Sequence, residues 1–227
     1  MTDPSNMTSI ANIVAAAGGL GTAAMGLVDT TKLFGGGPSN FGFGYIKDGL
    51  KPYLDALPAD SSAYGRDTVV RTLRANWLNG VAKADQKAKA KSLIHLGLTQ
   101  GKTDQFAKAA GVDAAKLKTV AANVAANQPV DPKDVSVLGQ FDAALSGALD
   151  LAYERGDQKY RNATKFLSMM VAIVLGGAGG EAVFPGDTNR LWLCLLIGVV
   201  ATPLAPVSKD LVSALQAAAT SLGKLKS

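Results

Sequence analysis

Residues 166–184 read FLSMMVAIVLGGAGGEAVF and residues 191–207 read LWLCLLIGVVATPLAPV, with PGDTNR between them at 185–190. The hydrocarbon core of a bilayer takes about 20 predominantly apolar helical residues to cross, and each stretch approaches that length. Pro185, Gly186, Asp187 and Asn189 are residues that favour chain reversal. Two apolar helices joined by so short a turn predict an antiparallel transmembrane hairpin. Trp192, next to Arg190, has the amphipathic character of an interfacial anchor.

Outward from the hairpin, the other end of the chain repeats the signal more weakly. No charged side chain occurs from Pro4 to Val28, and Ile10 to Val28 is mostly Ala, Gly, Leu, Val and Ile. The length suffices for a span, but alanine and glycine contribute little to membrane transfer. The competing reading is a buried helix of a soluble domain. Asp3 is the only charge in this region, so the basic start of a secretory signal is missing and a retained span is expected.

Lysine and arginine placement then sets an orientation. Arg155, Lys159, Arg161 and Lys165 precede the second span, whereas the hairpin loop holds only Arg190. Lys209, Lys224 and Lys226 follow the third span. Lys32, Lys47 and Lys51 follow the first, with none before it. The positive-inside rule applied to each span gives one answer: N-terminus outside, central region cytoplasmic, hairpin loop outside, C-terminus cytoplasmic.

Whole-chain composition is less informative. The chain has 227 residues, 48% of them hydrophobic, close to the ordinary soluble range, and a formal charge of +5. That charge is compatible with nucleic acid, anionic lipid or a topological signal. One cysteine, Cys194, excludes an intramolecular disulfide, and with a single histidine no His/Cys metal centre is expected. No cofactor is expected either.

The central region reads as helical. Leu33 to Gly44 (LFGGGPSNFGFG) predicts an irregular glycine-rich loop. A helix opens near Tyr64 or Asp67 with the apolar stripe Val70, Leu73, Trp77 and Val81, and Gly80 interrupts it. A second helix through Gln86–Leu96 is expected to end at a Gly97 cap. Thr103 caps a short helix ending at Gly111, and Asp113 caps another carrying Leu117, Val120 and Val124. Asp131 and Pro132 open a helix at its N-cap and first position. Its face Val135, Leu138, Phe141, Leu145, Ala148 and Ala152 continues towards Tyr160, and no proline intervenes before Pro185. That helix is expected to run unbroken into the second span. With no alternating strand pattern, the fold class is all-α: an integral membrane protein with about three transmembrane helices and a cytosolic helical domain. The expected divisions are 1–29 for the N-terminal span, 30–163 for the cytosolic domain, 164–208 for the hairpin and 209–227 for a cytosolic amphipathic helix.

Several residue patterns are candidates for function. Gly19-Leu20-Gly21-Thr22-Ala23-Ala24 matches a loose dinucleotide pattern but has neither the preceding strand nor the later acidic residue that the chemistry needs. Close helix packing explains it better. Ala15, Gly19 and Ala23 form a small-residue stripe at four-residue spacing, and Ala172, Gly176 and Gly180 repeat it in the second span. Lys83, Lys87 and Lys91, with Lys89 beside them, are either a patch for anionic lipid headgroups or a solvated helix face. Glu181 lies about 22 Å along its span from Phe166, which places it near the outer interface within reach of Arg190. His95, among Leu93, Ile94 and Leu96, has no evident nucleophile or acid beside it, and Asp142, Asp150 and Glu154 read as solvated charge. Leu204, Leu211, Ala218 and Leu225 fall seven apart, with Ser208, Leu215 and Leu222 at intervening positions, a short heptad seam for oligomer pairing or for docking within the chain.

The function expected from these features is a non-enzymatic membrane protein that builds or scaffolds a helical assembly. Its partners are membrane lipids and either further copies of itself or other subunits of a complex, and nucleic acid is not expected. An oligomeric channel or transporter is the alternative. A membrane-bound enzyme or nucleic-acid-binding module is third.

Overall fold

The computed structural model describes residues 4–60, 62–99 and 102–226, with the side chains of 4–7, 33 and 222–226 left aside. Among the described residues there is no strand. The helices are α1 (Pro4–Thr30), α2 (Ser39–Leu54), α3 (Arg66–Leu78), α4 (Lys83–Leu98), α5 (Thr103–Ala110), α6 (Ala114–Ala125), α7 (Pro132–Val183), α8 (Thr188–Leu204) and α9 (Ser208–Lys226). The all-α expectation holds. The chain divides into two compact units, a central one of Ser39–Tyr160 and a terminal one of Met1–Pro38 with Arg161–Ser227.

The central unit is organised by large side chains. Tyr153, Phe106, Phe141, Ile46, Leu50, Leu73, Ile94, Leu117 and Leu145 are all fully buried in one cluster. Phe141 is its hub, with edge-on contacts to Tyr53, His95 and Phe106 at ring-centre separations of 6.2, 5.5 and 6.1 Å. Caps delimit the helices as their side-chain chemistry dictates. The Asp113 carboxylate accepts from the Lys116 N–H at 3.0 Å, and Asp131 accepts from the Lys133 N–H at 2.9 Å. Gly111 closes α5 in the left-handed region at φ 68°.

Two expectations for this unit need correction. The segment assigned to a loop through Gly44 is helical from Ser39 onward. Its glycines lower helix propensity, but Gly42 admits close neighbours: a Cβ there would lie 2.7 Å from both the Gly156 carbonyl oxygen and the Trp77 ring. Tertiary packing outweighs propensity at that position. Gly97 is not a cap but a buried residue inside α4, where a Cβ would collide with the Leu57 side chain. The expected apolar stripes hold: Val70, Leu73 and Trp77 on α3 and Leu138, Phe141, Leu145, Ala148 and Ala152 on α7 all pack in the core, and only their end members Val81, beyond α3, and Val135 are exposed.

The terminal unit is built on the opposite plan. α7 runs without a break from Pro132 to Val183, so its last part belongs here. Gly186 at φ 75° turns the chain, and the Asp187 carboxylate caps α8 by accepting from the Arg190 N–H at 3.1 Å. α7 and α8 then lie antiparallel at close range. A Cβ on Gly176 would sit 2.7 Å from the Cys194 carbonyl oxygen, and one on Gly198 would sit 2.7 Å from the Ala172 carbonyl oxygen. α1 closes against α8, where a Cβ on Gly21 would collide with the Ala201 carbonyl. At the centre Ala24, Ala172 and Ala201 meet with no exposed surface at all.

Among the described residues two helices are long and apolar enough to cross a membrane, Thr8–Thr30 and α7. α8 and α9 qualify only as a pair, bent by 104° at their junction, which makes three if the pair is one span. The third apolar stretch, expected to run to Val207, therefore stops as a helix at Leu204. Pro206 has no N–H to continue the hydrogen-bond ladder and its ring obstructs the preceding turn.

Candidate functional site

The face of α1 that packs and the face that does not are set by its helical period. Ala17, Gly21, Ala24 and Val28 are buried and recur at steps of four and three residues. At 100° per residue, Ala15, Gly19 and Gly26 fall on nearly the opposite side, with Ala23 at its margin. All four are exposed, and a Cβ at Gly19 or Gly26 would have no heavy atom within 4 Å. Asn12, also exposed, lies on this outward side. Among the described residues of the terminal unit, the Ala15, Gly19 and Ala23 stripe is thus without a packing partner. The second stripe is occupied, with Ala172, Gly176 and Gly180 all facing α8. The Gly19–Ala24 segment lies inside α1, with no strand before it, which removes the structural context for dinucleotide binding.

The lysines of α4 meet acids from α7. Lys83 pairs with Asp157 at 2.8 Å, Lys87 with Asp150 at 2.6 Å and Lys91 with Asp142 at 2.7 Å. His95 Nε2 completes the row 3.0 Å from the other Asp142 oxygen. As the α4 number rises the α7 number falls, so the two helices run antiparallel and their charges interlock as a ladder. Asp142 is held below the ordinary carboxylate range chiefly by its hydrogen bond from Lys91, with burial opposing as the next effect and the His95 hydrogen bond lowering it further. Three of the four lysines considered for an anionic-lipid patch are therefore neutralised by partners. Lys89 alone is left facing solvent without a carboxylate among the described residues. Asp142 and Asp150, read as solvated charge, gain lysine partners but stay partly open to solvent, Asp150 at 58% exposure, and Glu154 is exposed.

A histidine beside a carboxylate raises the question of acid–base chemistry, and Ser92 shares a groove with His95. The Ser92 hydroxyl, however, donates to the Ala88 carbonyl at 3.0 Å. Ser92 and His95 both lie within α4, whose backbone N–H groups are engaged in the helix ladder, so no oxyanion-stabilising pair is presented beside them. Among the described residues no group of three or more His, Cys, Asp or Glu side chains is placed to hold a metal ion.

The remaining candidates fall at the hairpin and the C-terminus. Arg190 pairs with Asp187 at 3.1 Å and lies over the Phe184 ring, so it is not the partner expected for Glu181. The exposed Glu181 instead accepts from the Gly186 N–H at 3.4 Å. α9 packs on α1, and a Cβ on Gly18 would collide with the Ser208 side chain. Along the expected seam Leu204, Leu215 and Ala218 are half-buried, but Leu211 is exposed and Val212 takes its place. Leu222 and Leu225 lie outside the side chains described. No protein-family model, curated protein or solved structure matches this chain.

Proposed function

We propose that the protein is a non-enzymatic integral membrane protein whose terminal unit lies in the bilayer and associates, through the outward face of α1, with further copies of itself. In this reading the central unit and the C-terminus are cytoplasmic and the N-terminus and hairpin loop are outside. The observation that carries it is the unoccupied face of Asn12, Ala15, Gly19, Ala23 and Gly26 on a helix of spanning length. Small residues let a second backbone approach closely, and an asparagine amide facing hydrocarbon gains from a hydrogen bond to a neighbouring helix. The orientation is supported by the lysine and arginine bias at every span.

The test is the oligomeric state of the full-length protein in mild detergent, with cross-linking in native membranes. A discrete oligomer is expected. Gly19→Leu should convert it to monomer without lowering the protomer's own stability, because a Cβ at Gly19 meets no heavy atom within 4 Å. Asn12→Ala should weaken association to a smaller extent, by about 1 kcal/mol. A wild-type monomer in both settings, or an oligomer indifferent to Gly19→Leu, would overturn the reading.

A further inference from the structure

Inside the terminal unit, α1, the membrane part of α7 and the end of α8 leave a cavity of about 570 Å³. That is within the range of small-molecule sites, about 300–1,000 Å³. Met25, Phe166, Met169 and Pro206 give it largely apolar walls. The one charged group on its lining is Lys165, an exposed side chain with no acidic partner among the described residues. Lys165 is the last of the four basic residues that precede the apolar stretch of α7.

This combination selects its ligand by exclusion. Free phosphate would satisfy Lys165 but leave the methionine and phenylalanine walls wet. A neutral hydrocarbon would fill the walls and leave the ammonium unmatched. We propose that the cavity binds an anionic phospholipid, with an acyl chain between Met25, Phe166 and Met169 and its phosphate against Lys165. This site goes beyond self-association and depends only on the terminal unit lying in a membrane.

The experiment uses the full-length protein extracted from vesicles of equal phosphatidylglycerol and phosphatidylcholine, with retained lipid measured by native mass spectrometry. Wild type should retain phosphatidylglycerol over phosphatidylcholine by about fivefold, the effect of one basic residue on an anionic headgroup. Lys165→Gln should bring that ratio to parity with total retention little changed. Met169→Trp, which fills the cavity, should reduce retention of both lipids, and Lys209→Gln, outside the cavity, should leave the ratio as in wild type. Inorganic phosphate should not displace the lipid. An unchanged ratio in Lys165→Gln, or unchanged retention in Met169→Trp, would overturn the proposal. Carbonate extraction of the same vesicles separates the premise from the site: an inserted protein without preference refutes the cavity alone, whereas a protein released by carbonate refutes the membrane reading with it.

Discussion

The two units of this chain bury opposite kinds of residue. The central unit hides phenylalanine, tyrosine, leucine and isoleucine and presents charge outside. The terminal unit hides alanine and glycine and turns Ile13, Phe166, Val174, Trp192, Leu193 and Leu196 outward, each more than half exposed. In water the first plan is stabilising, since burial of apolar area drives it. The second would leave an exposed apolar surface larger than soluble monomers carry, and it is the arrangement expected where the solvent is hydrocarbon. There apolar surface gains nothing from burial, and close backbone packing through small residues supplies the attraction. In the proposed reading the contrast reflects two solvents, lipid for the terminal unit and water for the central one.

Breaking each plan should need opposite substitutions. In the central unit the largest effect should come from removing bulk: Phe141→Ala should cost about 3–5 kcal/mol, as for other large aromatic truncations in cores. The chain offers one tryptophan per unit, Trp77 and Trp192, so urea titration of the full chain in detergent with Trp192→Phe follows Trp77 alone. In the terminal unit the damaging change is adding bulk. Gly198→Leu should cost about 1–3 kcal/mol or more, because its Cβ would meet α7 backbone at 2.7 Å from both the Ala172 oxygen and the Ile173 Cα. Trp192 fluorescence during detergent-induced unfolding, in a Trp77→Phe background, checks it. Gly19→Leu at the same helix depth should leave that transition in place.

The smallest effect belongs to the charge ladder. Its pairs are partly exposed, so Asp142→Asn should cost only a few tenths to about 1 kcal/mol. Because folding lowers the Asp142 pKa, the folded state favours the ionised carboxylate. Its contribution should be complete above the ordinary aspartate value of 3.8 and be lost as the pH falls below it. The difference in urea midpoint between wild type and Asp142→Asn should shrink over that acid range.

Much of this was legible in the sequence where one local signal decides the outcome. The absence of proline from 133 to 184 foretold the continuous α7, and Asp113 and Asp131 foretold their caps. Ser39–Leu54 was not legible, since its glycines argue against helix until Trp77 and Gly156 are known to press on Gly42. On α1 the stripes Ala15-Gly19-Ala23 and Ala17-Gly21-Ala24 have nearly the same spacing, so composition could not say which one meets α8. The ladder escaped for a different reason. Each charge is on an ordinary polar face of its own helix, and the partners are 51 to 74 residues away. The lipid cavity had no linear signature, because its walls come from three separate segments.

The contrast between units is tested most directly by asking what solvent their exposed apolar residues meet. Spin labels placed by Val174→Cys and Leu196→Cys in the terminal unit, and by Leu96→Cys and Leu151→Cys in the central unit, report this in a Cys194→Ser background in vesicles. All four native side chains are at least half exposed. The account predicts high collision rates with oxygen and low rates with a water-soluble nickel chelate at Val174 and Leu196, and the reverse at Leu96 and Leu151. Nickel accessibility at Val174 and Leu196 equal to that at Leu96 and Leu151 would contradict it.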